Sequence, residues 1–466
     1  MLLASLSKAV KKDNKEYYEK NMDGDTTVTN AWKTAKNMLG INKNLSPTTI
    51  NQNGDSINSP VKIANIFNQF FIDKVQNLHR KTDSEPSVNP VQRLKNWLQP
   101  RGELPVFHLK TVDIKTVRKI LKRMKGKRSH GIDSIDSYSI KLAGPLIEDS
   151  LLHLINLSIK NSKFSGQWKP QLIFPLHKKG NKNDVKNFRP VSHLVEVGKM
   201  VEYAAYEQVV DHFTMHKLFH ENHHGSLSGH STATALVQLV DMWLGAAEET
   251  HLAATLLLDQ SAAYDLVDHQ ILLEKLQAYN FDEPSINWFK SYLGERSQLV
   301  QVQSKQSKLC HLGNHAVPQG SILGGLIFII FSNDFPASSE EGDSVMYVDD
   351  DTEVVHDADP EALQIKIQNE ADRSTSWLKD NRMCVAGEKS KLLVMGTSKL
   401  RSKKMTHTME IQVDNRPVVE TRSEKLLGVI INNEITWKEH LYGETWRKII
   451  RIPQGLYLNF PRGLGF

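Results

Sequence analysis

Apolar residues recur along this chain with two different periods, and the change of period divides it. In PVKIANIFNQFFIDKV (60–75) they fall at helical spacing within polar, turn-rich surroundings that carry Ser46-Pro47 and Asn53-Gly54 as breakers. Residues 1–106 accordingly read as a helical linker or appendage. In TVDIKTVRKILKRMKGKRSHGIDSI (111–135), Val117, Ile120, Leu121 and Met124 form one helical face and lysines and arginines cover the rest. This predicts a basic helix followed by a loop, whose charge either faces nucleic acid or is simply solvated. From about residue 150, strand-length apolar runs alternate with helical patterns: HLAATLLLD, then AAYDLVDHQILLEKLQAYN, later SVMYVDD followed by TEVVH. An α+β or α/β core is expected. Internal repeats and long low-complexity tracts are absent, which disfavours solenoids and disordered arrays.

Composition narrows the class. A chain of 466 residues, 39% of them hydrophobic, can bury a large core and divide into two or three domains. Its two cysteines, Cys310 and Cys384, are too few for a disulfide scaffold or a Cys-based zinc module, which fits a reducing compartment. MLLASLSKAVKK turns to lysine too soon for a signal peptide, and no apolar run approaches ~18 residues, so no membrane partner is expected. The net charge of +5 is modest and only hints at an anionic partner.

The acidic residues carry the chemistry. AATLLLD is continuously apolar and ends in Asp259, the pattern of a buried strand delivering a carboxylate to a sheet edge. VMYVDDDTEVV reads as a strand, an acidic hairpin tip and a returning strand. Either segment alone could be a solvated turn; together they offer carboxylates from separate strands. Two divalent ions ~3.5–4 Å apart need such bridging carboxylates, and hard oxygen ligands select Mg2+, with Mn2+ as the alternative. His216, His220, His223 and His224 sit at helical spacing, but no matching acid or cysteine follows, so they read as structural.

Tyr347-Val348-Asp349-Asp350 resembles the YxDD box of reverse transcriptases, and it stands in ordered company. PLHKKGNKNDVKNFRPVS resembles the fingers motif of non-LTR retrotransposon polymerases of the jockey and LINE type. HHGSLSGHSTATAL resembles the next segment of that family, usually QHGFRxGRST. LLLDQSAAYDLVDHQILLEKL looks like the palm A motif, VPQGSILGGLIFIIFSNDFP the B motif, and SEKLLGVIINNEITWKEHL the primer-grip hairpin. The resemblance covers about residues 110 to 440.

It implies a right-hand α+β polymerase: a linker over 1–106, fingers and palm (an antiparallel sheet flanked by helices) over 107–440, with core motifs about 170–432, and the start of a truncated thumb over 441–466. The implied activity is RNA-directed DNA polymerisation with two Mg2+ ions, an RNA template, a DNA primer and deoxynucleotides (dNTPs), in the nucleus or cytoplasm. Asp259, Asp349 and Asp350 become the metal ligands. Tyr264, five residues past Asp259, falls at the aromatic gate that would clash with a ribose 2′-hydroxyl; otherwise it is a core aromatic. Gln319 and Gly320 would meet the incoming nucleotide, Gly by letting backbone approach and Gln as donor and acceptor. Lys178 and Arg189 match the cations that clamp the triphosphate. Lys389 falls at the lysine of an NxxKT-like motif and could protonate pyrophosphate, with Lys391 as a competitor. Leu427 and Gly428 match the primer grip.

The chain departs from the family pattern in four places. The box reads YVDDDT, so counting from Thr352 makes Asp350 and Asp351 the hairpin pair; counting from Tyr347 gives Asp349 and Asp350, the pair preferred on the sequence. Gly324-Gly325 replaces Gly-Pro in motif B. Ser226, Leu227 and His230 stand where Phe, Arg and Arg are usual. An endonuclease normally precedes the linker in jockey-like elements, and the thumb is expected to extend past Phe466. A catalytically decayed remnant that binds nucleic acid is the second reading, and a metal-dependent nuclease the third.

Overall fold

The structure, a computed structural model, describes residues 47–52, 54–82, 86–260, 262–318 and 320–440. In chain order the elements begin with β1 (Ile50–Gln52), β2 (Asp55–Ile57), α1 (Pro60–Thr82), α2 (Pro90–Leu98), α3 (Ile114–Arg123), α4 (Ser137–Lys160), β3 (Gln171–His177), β4 (Phe188–His193), α5 (Glu196–Met215) and α6 (Thr232–Glu248). There follow β5 (Leu252–Asp259), α7 (Ala263–Leu266), α8 (His269–Ala278), α9 (Glu283–Leu293), β6 (Ser297–Val302), β7 (Lys305–Gln306), β8 (Cys310–His311) and α10 (Leu323–Ser332). The last are β9 (Asp343–Tyr347), β10 (Asp350–Asp357), α11 (Pro360–Asp380), β11 (Lys391–Met395), α12 (Ser398–Lys404), β12 (Glu410–Val413), β13 (Arg416–Val419), β14 (Ser423–Leu426) and β15 (Val429–Asn432). The class is α+β, one of the two that the hydrophobic periods leave open. The amphipathic stretch at 60–75 is helical within α1, and the region read as helical linker also contains the β1–β2 hairpin, which reverses through Gly54 at φ 89°.

The chain divides into two compact units, one comprising residues up to 67 with 174–190 and 300–307, the other the remainder. In the first, strand portions are ordered β4-β3-β6-β7, and Phe67 packs edge-on against Phe188 at 4.9 Å. The loop after β3 is closed by the Lys178 N–H donating to the Asn187 carbonyl at 2.8 Å.

The second unit is built on an antiparallel sheet ordered β11-β5-β10-β9. Its central strand β5 is covered on both faces, which is why its sequence is a nearly unbroken apolar run. On one face lies α6, whose Leu239 and Trp243 pack with Ala253, Val345, Val354 and Leu393. The Trp243 indole N–H donates to Thr255 Oγ1 at 2.9 Å, so the polar side chain buried under it is satisfied. On the other face lies α11, through Leu363, Ile367, Ala371 and Trp377, and Ser374 donates to the buried Glu353 at 2.8 Å. α2 joins the same core by Leu94 and Leu98, and Arg93 pairs with Asp380 of α11 at 2.7 Å.

The predicted face of α3 is the one that is buried: Val117, Ile120, Leu121 and the following Met124. Its cations are partly spoken for, since Arg118 pairs with Glu148, and Lys119 and Arg123 with Glu207.

α10 is apolar on every side and buried except at the half-buried Gly325, as LGGLIFIIFS requires. Each of its ends meets a buried charge of the sign its dipole favours. At the N-terminal end, Glu202 of α5 accepts from the N–H groups of Ile322 at 2.6 Å and Leu323 at 3.2 Å. At the C-terminal end, Lys275 of α8 donates to the Phe331 carbonyl and to Asp334 Oδ1, both at 2.7 Å, and lies over the rings of Phe331 and Trp377. The Trp377 indole N–H reaches the second Asp334 oxygen at 3.0 Å. Removing one partner strands a buried ammonium, so Asp334→Ala is expected to cost ~3–5 kcal/mol in urea unfolding, and Lys275→Met with Asp334→Leu markedly less. A double variant as unstable as Asp334→Ala would contradict this account.

Candidate active site

Asp259 ends β5, and its cross-strand partner in β10 is Asp350, so the two side chains emerge on the same face at one end of the sheet. β9 and β10 are joined by the two-residue loop Val348-Asp349, which sets Asp349 beside them. The strand alternation settles the geometry of the extra acid. Asp351 faces the opposite way, is 1% exposed, and accepts from the Gln260 carboxamide at 2.6 Å. The carboxylates that gather with Asp259 are therefore Asp349 and Asp350, the pair reached by counting from Tyr347.

The gathering has an electrostatic signature. Asp350 reaches solvent, yet desolvation by its surroundings, then Asp349 and Asp259, push its pKa up to about 6. Asp349 is also raised, by desolvation first and then by Asp259, with Lys389 opposing. Lys389 Nζ lies 3.0 Å from Asp259 Oδ1. Its loop is tied to the end of β5: the Ala386 N–H donates to the Asp259 carbonyl at 2.8 Å, and Val385 bridges Gln260. Lys391, its competitor in the sequence, sits within β11 opposite Leu257.

Val348 has φ 63°, a strained conformation for a β-branched residue that needs support. Support comes from residues 222–225, which run alongside β9. Met346 N–H donates to the Asn222 carbonyl at 2.9 Å and His224 N–H to the Met346 carbonyl at 2.8 Å. Gly225 then presses on the loop so closely that a Cβ there would meet Val348 N and Cγ2 at 2.5 Å. Sequence reasoning quoted HHG as part of a motif but saw no role for the glycine. Two of the neighbouring histidines are tied into the fold. His223 is fully buried, its pKa driven down to about 3 by burial, and His224 bonds Thr234 and Gln238.

Next to the carboxylates is a cleft of about 670 Å3 lined by Tyr203, Tyr206, Ser226, Tyr264, Gly320, Ser321 and Gly325, among others. Tyr264 stacks on Phe328 of α10 at 5.0 Å, and its hydroxyl pKa is raised to about 12 by burial and then by Asp349. Gly320 has φ 84°, and a Cβ there would lie 3.1 Å from the Ser192 carbonyl. Gly324 is as constrained: a Cβ would strike Ser321 Oγ at 2.5 Å. Tyr203, Tyr206 and Glu202 were missed in the sequence, where MVEYAAYEQVV shows only an apolar helix interrupted by acids. Leu427 and Gly428 form the tip of the β14–β15 hairpin, both at positive φ (48° and 91°), as a tight two-residue turn requires. Lys178 and Arg189 belong to the first unit. Gln319 and the segment 441–466 lie outside the described residues.

An antiparallel sheet that collects carboxylates from two strands beside an open cleft is an arrangement able to hold divalent cations for phosphoryl transfer. Residues 176–431, over half of the chain, match the family model described as reverse transcriptase (RNA-dependent DNA polymerase), and the chain belongs to that family. It is 24% identical over 341 residues to the RNA-directed DNA polymerase from mobile element jockey of Drosophila melanogaster, covering 72% of this chain and 36% of the relative. It is 26% identical over 333 residues to the probable RNA-directed DNA polymerase from transposon X-element of the same species, covering 70% and 36%. A third relative there, named for transposon BS, is 29% identical over 230 residues, covering 49% and 25%. The chain thus spans a quarter to just over a third of the length of these curated relatives. Among the described residues no helix is long and apolar enough to cross a membrane.

Two outcomes are expected. Gly225→Ala should push the hairpin away at a cost of ~1–3 kcal/mol, seen as faster amide exchange at Met346 and His224; unchanged protection there would contradict the contact. Because its folded pKa lies above the ordinary carboxylate value, Asp350 holds a proton in the folded chain that the unfolded chain has lost. The contribution of Asp350 to metal-free stability should therefore fall as pH rises from about 4 through about 6 and level off above. Thermal unfolding in chelator measures this, and a profile for Asp350→Asn parallel to that of the parent would refute it.

Proposed function

We propose that this chain carries the polymerase core of a non-LTR retrotransposon reverse transcriptase, adding dNTPs to a primer 3′ end on an RNA template. The observation that carries this reading is the convergence of Asp259, Asp349 and Asp350 beside the Tyr264 cleft. Their donor set fits Mg2+: three hard carboxylates, two of them held above their ordinary pKa by desolvation and by each other, so divalent cations would relieve what Lys389 alone offsets. Mn2+ is chemically compatible with the same ligands.

When bound, the paired ions would activate the primer hydroxyl and neutralise the triphosphate and the departing pyrophosphate. The chain's own residues do the rest. Asp259 and Asp350 project from directly opposed ladder positions, and Asp349 is carried by a loop that Gly225 braces. Tyr264, backed by Phe328, presents a rigid ring to the sugar and excludes a 2′-hydroxyl. Gly320 opens the cleft wall to the nucleotide, with Gln319 as its expected polar neighbour. Lys389 is positioned to release Asp259 and pass a proton to pyrophosphate. Lys178 and Arg189 are assigned to the triphosphate, and Leu427 with Gly428 to the primer strand, by resemblance to the family. Residues 107–440 would then be fingers and palm, and 441–466 the start of a thumb.

The test is primer extension on RNA with dNTPs and Mg2+. Asp259→Ala and Asp349→Ala should fall to background while still binding duplex, with affinity that drops steeply with salt. Tyr264→Ala should keep extension and gain ribonucleotide incorporation. Binding without extension by the parent chain would favour the decayed remnant, and cleavage without nucleotide would favour the nuclease.

A further inference from the structure

At the other end of the catalytic sheet is a second cluster of ligand-type side chains. It consists of Glu249, His251 and His356, whose ligand atoms all lie within 4.8 Å of one another. Its backbone is firmly set. α6 ends in a paired C-terminal turn: Thr250 takes φ 59°, its N–H donates to the Ala247 carbonyl at 3.1 Å, and the His251 N–H donates to the Ala246 carbonyl at 2.8 Å. That turn folds His251 back beside Glu249 just before β5 begins. His356 comes from β10 as the ladder partner of Ala253, so it stands on the α6 side of the sheet. Lys404 ties the two segments together, donating to the carbonyls of Thr250 at 2.6 Å and Ala358 at 2.7 Å.

The side chains bring ligand-type atoms together, with the two imidazole rings 28° from parallel and their centroids 5.3 Å apart. His251 Nδ1 and His356 Nδ1 are 3.0 Å apart, and Glu249 Oε2 lies 3.3 Å from the first and 3.8 Å from the second. Tetrahedral zinc with nitrogen and carboxylate ligands at its usual bond lengths has ligand–ligand edges of about 3.3–3.5 Å. The three observed separations bracket that edge. A triangle of two imidazoles and one carboxylate leaves a fourth position for water.

We propose that Glu249, His251 and His356 form a Zn2+ site that staples the end of α6 to β10. It is distinct from the carboxylate centre: His356 pairs with Ala253, six residues or about 20 Å along β5 from Asp259. The ligand chemistry differs as well, since imidazole selects zinc where an all-oxygen set favours magnesium. The proposal does not depend on polymerase activity and survives if the chain proves inactive.

The probe is Zn2+ alone, titrated calorimetrically into the metal-stripped chain in excess Mg2+, with Co2+ absorption as a reporter of four-coordinate nitrogen ligation. One equivalent of Zn2+ should bind and raise Tm. His251→Ala and His356→Ala should each weaken that binding by ~100-fold or more, and Glu249→Gln less, while leaving the metal-free Tm near that of the parent. Because all three side chains are at least partly exposed, these variants should fold; should one histidine variant fail to, the other and Glu249→Gln still decide. Equal Zn2+ uptake by His251→Ala, His356→Ala and the parent chain would overturn the proposal. So would no uptake by the parent at micromolar Zn2+, which would leave the imidazoles as a hydrogen-bonded pair.

Discussion

Like charges must be held together here against their own repulsion. Asp259, Asp349 and Asp350 crowd one end of a sheet, and desolvation with mutual repulsion lifts the pKa of both hairpin acids. Such a cluster persists only if its supports are stiffer than the force that would spread it. The supports are visible in every direction: a central strand buried on both faces, a ladder that makes two of the acids direct partners, and a glycine that lets residues 222–225 lie against the strained loop.

The cleft inherits its shape from a similar placement of buried charge. Its lining includes the turn before α10 and the first turn of that helix, and Tyr264 stacks against Phe328 one turn further on. α10 has no polar face with which to orient itself. Its register depends on what grips its two ends, a carboxylate at one and an ammonium at the other. Neither charged group touches the cleft's open space, yet both determine where its wall stands.

Much of this was legible in the order of residues, and the reason is physical. Strand β5 announces itself because burial on both faces demands a continuous apolar run, and the hairpin because acids flanked by two β-rich runs must sit where the chain reverses. The buried face of α3 followed from its period alone. Lys389 was chosen by family resemblance over Lys391, and it is the one paired with Asp259. What escaped depends on contacts that leave no periodic trace. Gly225 matters through a loop 123 positions away, Glu202 through backbone N–H groups 120 and 121 positions away. His251 and His356 meet across a ladder 105 positions apart, a distance no metal-binding spacing pattern spans. The division into units is hidden likewise, since 174–190 and 300–307 join residues before 68 from remote parts of the chain.

The inward turn of Asp351 has a bearing on how such a hairpin can change over time. Side chains on β10 alternate between the face packed against α6 and the face packed against α11, and the surplus aspartate falls on the second, where Gln260 donates to one of its oxygens and burial pushes its pKa well up. Pairing in the ladder thus sorts two adjacent acids, keeping Asp350 in the group around Asp259 and Asp351 out of it. A substitution at position 350 therefore alters the charge at the end of the sheet, and one at position 351 alters its interior.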